Sequence, residues 1–153
     1  MVVMAEDARL GMSMRFKVVV DDVDLGGWTS CAGLAVEFKN TLVGEGANYE
    51  TRTVLPDRVE YKVITLKRAM VAQDSAQVQN WLSRVVADWY GATSPGNYGA
   101  RTARIALFDA YGQEVAAWSL RNVYPAGWQG PDLDASGHAV AVETLQLIHE
   151  GFL

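Results

Sequence analysis

Cysteine is almost missing from this sequence: Cys31 is the only one in 153 residues. No disulfide can close within the chain, and a reducing compartment is the simple expectation. A free cysteine between Ser30 and Ala32 reads as a buried or turn residue before it reads as a nucleophile. Histidine is nearly as scarce, with His138 and His149 alone, so a metal site that needs several converging ligands has little to draw on. The nearest grouping, Asp132 and Asp134 with His138, matches no ligand spacing and reads as a polar turn. His149 reads as a hydrogen-bonding or solvent-facing residue at a strand end beside Glu150. No Gly-x-Ser-x-Gly elbow occurs. Gly26-Gly27 and Gly44-x-Gly46 lack the Lys-Ser/Thr or following helix that would make them phosphate cradles. No catalytic residue, no metal and no cofactor is therefore expected, and the chain reads as a non-enzyme.

Other absences narrow the partners. There are 13 basic against 18 acidic residues, a net charge of −5, and no Lys/Arg-rich run. A face that neutralises a row of phosphates is excluded, and sequence-specific nucleic-acid binding with it. No apolar run approaches eighteen residues, so no membrane helix is expected and the subunit should not insert into a bilayer. Met1 to Met14 is broken by Glu6, Asp7 and Arg9 and lacks the core of a signal peptide. It reads as a flexible arm on a chain made and folded in the cytoplasm. Half of the residues are apolar, enough for one compact domain over 1–153.

What the sequence does contain is β-pattern with one helix. Arg15 to Val20 is β-branched and partly alternating, and turn residues follow at Asp21-Asp22 and Gly26-Gly27. Between Leu34 and Lys39 the alternation puts Leu34, Val36 and Phe38 on one face and Glu37 and Lys39 on the other, a half-buried strand. Asn40 to Thr53 has no helical period and reads as a long exposed hairpin loop, of a length that is more often functional than idle. Val59 to Leu66 reads as a second strand with two mixed faces. Asp74-Ser75-Ala76-Gln77 has the form of a capping box, and Val78, Trp81, Leu82, Val85, Val86 and Trp89 follow at helical spacing, predicting a helix from about Ser75 to Asp88. Arg101 to Phe108 and Glu114 to Val123 flank the turn Asp109-Ala110-Tyr111-Gly112 as a second hairpin. After a Gly/Pro/Asp stretch over Gly127 to Gly137, Ala139 to His149 reads as a closing strand. The expected fold is mainly β, a sandwich or barrel with one helix over a face or an open end. Trp81, Trp89 and Trp118 fit core positions, leaving Trp28 and Trp128 near turns as possible interaction residues.

In order, these segments resemble a known family. Arg15-Phe16-Lys17-Val18-Val19-Val20-Asp21, then Leu25-Gly26-Gly27-Trp28-Thr29-Ser30-Cys31-Ala32-Gly33-Leu34, is similar to the opening of the inner tube proteins of phage tails and contractile injection systems. There a strand, a small turn and a Gly-Leu segment lead to an acidic strand, the place of Val36-Glu37-Phe38. Leu55-Pro56 and Val63 to Arg68 resemble the family's second strand, and Asp74 to Trp89 its helix. The strongest likeness is in Ala117 to Pro125, Trp128-Gln129-Gly130-Pro131-Asp132-Leu133-Asp134-Ala135 and Val142 to Gly151. One departure is the loop, which carries Gly44-Glu45-Gly46-Ala47-Asn48 where relatives often have an arginine and a glycine pair.

The resemblance implies a structural subunit whose hairpins join those of neighbours, so that hexameric rings stack into a hollow tube inside a contractile sheath. The implied partners are copies of the chain itself, the sheath protein, baseplate, spike and tube-terminating proteins, and a protein or DNA cargo. Assembly in a bacterial cytoplasm, into a particle that can be released, is implied as well. Within the family the Trp128 to Ala135 segment and the short chain lean towards phage-tail-like injection systems. Glu37, Lys39, Glu60 and Lys62 are the candidate lumen residues; Glu45, Asn48, Arg52, Trp128, Asp132 and Asp134 are the candidates for subunit contact or ring stacking. Two other classes fit the β-pattern, a barrel that binds a small ligand and a flavin-dependent split-barrel enzyme.

Overall fold

The computed structural model describes residues 14–44, 52–91, 101–132, 137 and 140–153. The elements run β1 (Arg15–Val20), β2 (Val23–Trp28), β3 (Ser30–Ala32), β4 (Val36–Gly44), β5 (Arg52–Tyr61), β6 (Ile64–Ala69), α1 (Ala72–Gly91), β7 (Ala103–Phe108), β8 (Glu114–Leu120), β9 (Tyr124–Gln129) and β10 (Val142–Ile148). They form two four-stranded sheets, ordered β2-β1-β7-β8 and β3-β6-β10-β9, and a separate two-stranded ribbon, β4-β5.

Both hairpins of the first sheet follow from turn chemistry. Val20 pairs with Val23, so Asp21 and Asp22 form a two-residue loop, and both have positive φ, 46° and 66°, as a type I′ turn requires. The Asp21 carboxylate also accepts the Thr102 N–H at 2.9 Å, tying the turn to the start of β7. At the β7–β8 turn, Asp109 accepts the N–H groups of Tyr111 and Gln113, each at 2.9 Å, and Gly112 supplies the left-handed residue at φ 76°.

One core joins the two sheets and the helix. Val18 and Val20 of β1, Leu25 and Trp28 of β2, Ile105 of β7, Ile64 and Leu66 of β6, Leu145 and Leu147 of β10, and Val78, Trp81 and Val85 of α1 are all buried together. Inward residues alternate along β6 and β10, as a sheet with one covered face demands. Trp28 thus belongs to the core and not to a surface.

The structure departs from several expectations. The helix begins at Ala72, ahead of the expected capping box, and runs on to Gly91. Asp74, the cap position of that box, lies within the first turn, while Ser75 donates its backbone N–H to Val71 and turns its hydroxyl inward to Glu143. Val86 and Trp89, placed in the core stripe by spacing, are exposed. The segment Val59 to Leu66 is two strands of different sheets, with a break at Lys62-Val63. Part of the expected loop Asn40 to Thr53 is strand: Asn40–Gly44 pairs with Arg52–Pro56, and a bulge between Lys39 and Asn40 absorbs the irregular composition. Tyr124 to Gln129, read partly as turn, is β9, which among the described residues pairs only with β10. An edge position tolerates Pro125, whose missing N–H costs no ladder bond there.

Candidate assembly interface

The ribbon is the part of the molecule left over from the core. It pairs with neither larger sheet, and a lone two-stranded hairpin is marginal in water. Its two faces differ in chemistry. Alternation and register put Val36, Phe38 and Leu42 on one face, opposite Tyr61, Val59 and Val54. Phe38 is 64% exposed, Leu42 53% and Val54 56%. Around the bulge, Phe38, Val54, Pro56 and Val59 line a shallow recess of about 280 Å³. Phe38 is therefore not half-buried within its own subunit, as the strand pattern suggested. An exposed apolar face of this kind makes the ribbon the candidate contact surface.

The opposite face carries charge near the body and the exposed Val43 and Leu55 further out, and in its charged part the four expected lumen residues meet. Glu37 binds Lys39 and Lys62, one through each carboxylate oxygen, both at 2.8 Å. Lys39 lies 3.7 Å from Glu60, and Glu60 takes Arg58 at 2.8 Å. Arg58 was missed by sequence reasoning because it lay just before the strand expected from Val59; its alternation with Glu60 was the available signal. The hydrogen bond from Lys39, then that from Lys62, pulls the Glu37 carboxyl down to about 2. Glu37 in turn raises Lys39, and Arg58 lowers Glu60. All are open to water, so the ladder orders side chains more than it stabilises the fold. A carboxyl titration followed by NMR is expected to place Glu37 near pH 2, and Lys39→Met to move it upward. An unshifted midpoint in the variant would show that the pair does not form.

The remaining candidates are dispersed. Trp128 sits on edge strand β9 and donates its indole N–H to Glu143 at 3.0 Å. Asp132 is exposed. Only the backbone of Arg52 is described, as the start of β5, and Glu45, Asn48, Asp134 and His138 lie outside the described residues. So does the expected arm, apart from Met14.

Sequence reasoning also passed over a buried polar cluster that sets the subunit's shape. Glu143 of β10 is fully buried and Arg68 of β6 is 3% exposed. They meet at 2.5 Å. Arg68 also donates to the Leu25 carbonyl at 2.6 Å and lies 3.9 Å over the Trp28 ring. Glu143 accepts Ser75 Oγ of α1 at 2.9 Å. One carboxylate thus joins β6, β9, β10 and the helix. Burial pushes the Cys31 thiol up to about 11, so it is not poised as a nucleophile. Among the described residues no three His, Cys, Asp or Glu side chains come together as metal ligands.

With the fold in hand, solved structures give its class. The chain resembles the anti-feeding prophage baseplate structure at TM-score 0.64 and 20% identity, covering 90% of this chain and 89% of that one. It resembles the sheath–tube complex of an extracellular contractile injection system, PVC, at 0.65 and 20%, covering 90% and 85%. It resembles a type six secretion system protein at 0.60 and 9%, covering 90% and 80%. These establish the fold, that of tube-forming subunits, mainly β with a single helix. No curated protein sequence matches the chain. The family model for T4-like virus tail tube protein gp19 matches residues 12–153, and the chain belongs to that tail tube family.

Proposed function

We propose that this chain is the structural subunit of the inner tube of a contractile injection particle. Six copies close into a ring and rings stack into a hollow conduit inside a contractile sheath. The amphipathic ribbon is the observation that carries this reading. Its apolar face seats on a neighbouring copy, while Glu37, Lys39, Arg58, Glu60 and Lys62 face the water-filled bore. A sheet edge that is open in one subunit becomes paired when the ring closes, which removes the aggregation hazard of a free edge. Trp128 and Asp132, with Glu45, Asn48, Arg52 and Asp134, are the residues assigned to contacts between subunits or rings.

The similar solved structures include a tube within a sheath, a baseplate and a tube-terminating cap. Sheath, baseplate, spike and terminator proteins are accordingly the partners proposed here, and the bore passes a protein or DNA cargo. Assembly takes place in the bacterial cytoplasm, and the finished particle is released. No enzymatic step is needed.

Negative-stain microscopy of the purified chain is expected to show sixfold rings and tubes, and a uniformly monomeric protein at high concentration would overturn the reading. Glu45→Ala with Asn48→Ala is expected to keep rings but shorten or thin out the tubes. Unchanged tube length and yield would remove these two residues from the stacking contact.

A further inference from the structure

The ribbon leaves the body through two short links, Gly33–Ala35 and Lys62–Val63, and both are tightly built. Gly33 has φ 96°, and a Cβ there would lie 2.0 Å from the Val63 carbonyl oxygen. The Lys62 N–H donates to the Ala35 carbonyl at 3.3 Å. Beside this junction, Tyr61, the last residue of β5, packs on His149 and Phe152, with ring centroids 5.3 Å and 5.2 Å apart. His149 and Phe152 are themselves 6.0 Å apart. Three rings, one from β5 and two from the segment after β10, therefore meet at the root of the ribbon.

The protonation state of His149 is built into that grip. Its Nδ1 accepts the Gly151 N–H at 3.1 Å, which a protonated Nδ1 could not do. Its Nε2 is buried without a hydrogen-bond partner of normal geometry. Gly151 has φ 147° and approaches the Tyr61 ring so closely that a Cβ would meet it at 3.0 Å, so only glycine fits where the N–H is presented to His149. Among the charged groups near the imidazole, Arg121 disfavours a cation there. Arg121, on the β8–β9 connection, presses on the same turn. The neighbouring Glu150 carboxylate accepts from Asn122 at 2.5 Å, and the Lys62 ammonium is held by Glu37 at 2.8 Å.

We propose that His149 is an acid-sensitive latch at the root of the ribbon: neutral, it holds Tyr61 and fixes the ribbon's angle; protonated, it lets go and self-association weakens. The latch rests on the reading of the ribbon as the association element. Burial, and then the Arg121 charge, hold the imidazole below its ordinary value of 6.5, against the opposite pull of the Lys62 and Gly151 backbone. A depressed folded-state value means that the unfolded or released form takes up the proton first. The latch's contribution is complete above about pH 6.5 and falls as the pH drops below it.

The test compares assembly of the full chain at about pH 7.5 and about pH 5.5 by sedimentation, with microscopy to separate tubes from precipitate. The wild-type chain is expected to lose assembly several-fold on acidification, His149→Gln to lose far less, and His138→Gln to behave as wild type. Acid-stable wild-type tubes, or equal acid sensitivity in His149→Gln, would overturn the latch. If the wild-type chain forms no assemblies at either pH, the ribbon reading itself fails. The latch is then read in the soluble subunit by NMR: the Tyr61 ring signals must move with the His149 titration. Tyr61 signals that stay fixed while His149 protonates overturn it, whether or not any variant folds.

Discussion

Glu143→Leu is expected to destabilise the subunit by about 3–5 kcal/mol, the cost of leaving a buried cation without its counter-charge. Arg68 would remain 3% exposed, still donating to the Leu25 carbonyl but without the carboxylate it is paired with. Ser75 and Trp128 would lose their acceptor as well. For a domain of this size such a loss lowers Tm by on the order of 10 °C. The measurement is urea unfolding at a concentration too low for assembly, since association would mask the loss by mass action. The double variant Arg68→Leu with Glu143→Leu is expected to recover much of the stability, because the orphaned charge is gone. A single variant as stable as wild type would mean that the pair contributes nothing to the folded state.

Phe38→Glu should do the reverse: spare the fold and abolish association. Phe38 is 64% exposed in the isolated subunit, and exposed positions usually tolerate change within about 0.5 kcal/mol. In a closed ring the same ring face would be covered. Roughly 130 Å² of apolar surface would leave water at each contact, worth about 3 kcal/mol, or more than a hundredfold in affinity. A buried carboxylate adds a further penalty. The expected result is a monomer with unchanged circular dichroism and unfolding midpoint that forms neither rings nor tubes. Tubes at wild-type yield would show that the apolar face of the ribbon is not the contact.

Charge has two uses in this chain. Arg68 and Glu143 lie 75 positions apart and are dry, so each depends on the other. The ladder of Glu37, Lys39, Arg58, Glu60 and Lys62 is wet and its members are individually dispensable for folding. Composition cannot tell these cases apart, since both are ordinary acid–base pairs in a strand context. Burial decides.

Much of the fold was nonetheless legible in the residues. Paired aspartates at 21 and 22 specify a turn whose geometry few other residues accept. The spacing of Val78, Trp81 and Val85 specifies a helix and its buried side. The Val, Leu, Ile and Thr content of Ala139 to His149 specifies a strand, and Glu37 and Lys39 announce a charged face. Each of these is a local rule, enforced by backbone sterics or side-chain period within a few residues. The resemblance of the ordered segments to tail tube proteins rested on such local features, and the family match agrees with it.

What the tertiary structure alone decided is non-local. The alternation of Val59 to Leu66 runs through Lys62-Val63 without a signal, because the contact that fixes the bend between sheets comes from outside the segment, from Gly33 packed against the Val63 carbonyl. Tyr124 to Gln129 is a strand only because an edge forgives its proline. Phe38 belongs to an apolar face that its own subunit leaves bare, and no pattern along one strand can say whether the covering surface lies in the same chain. Sequence determined which residues share a face; the three-dimensional arrangement determined which faces the molecule fills by itself and which it leaves for a partner.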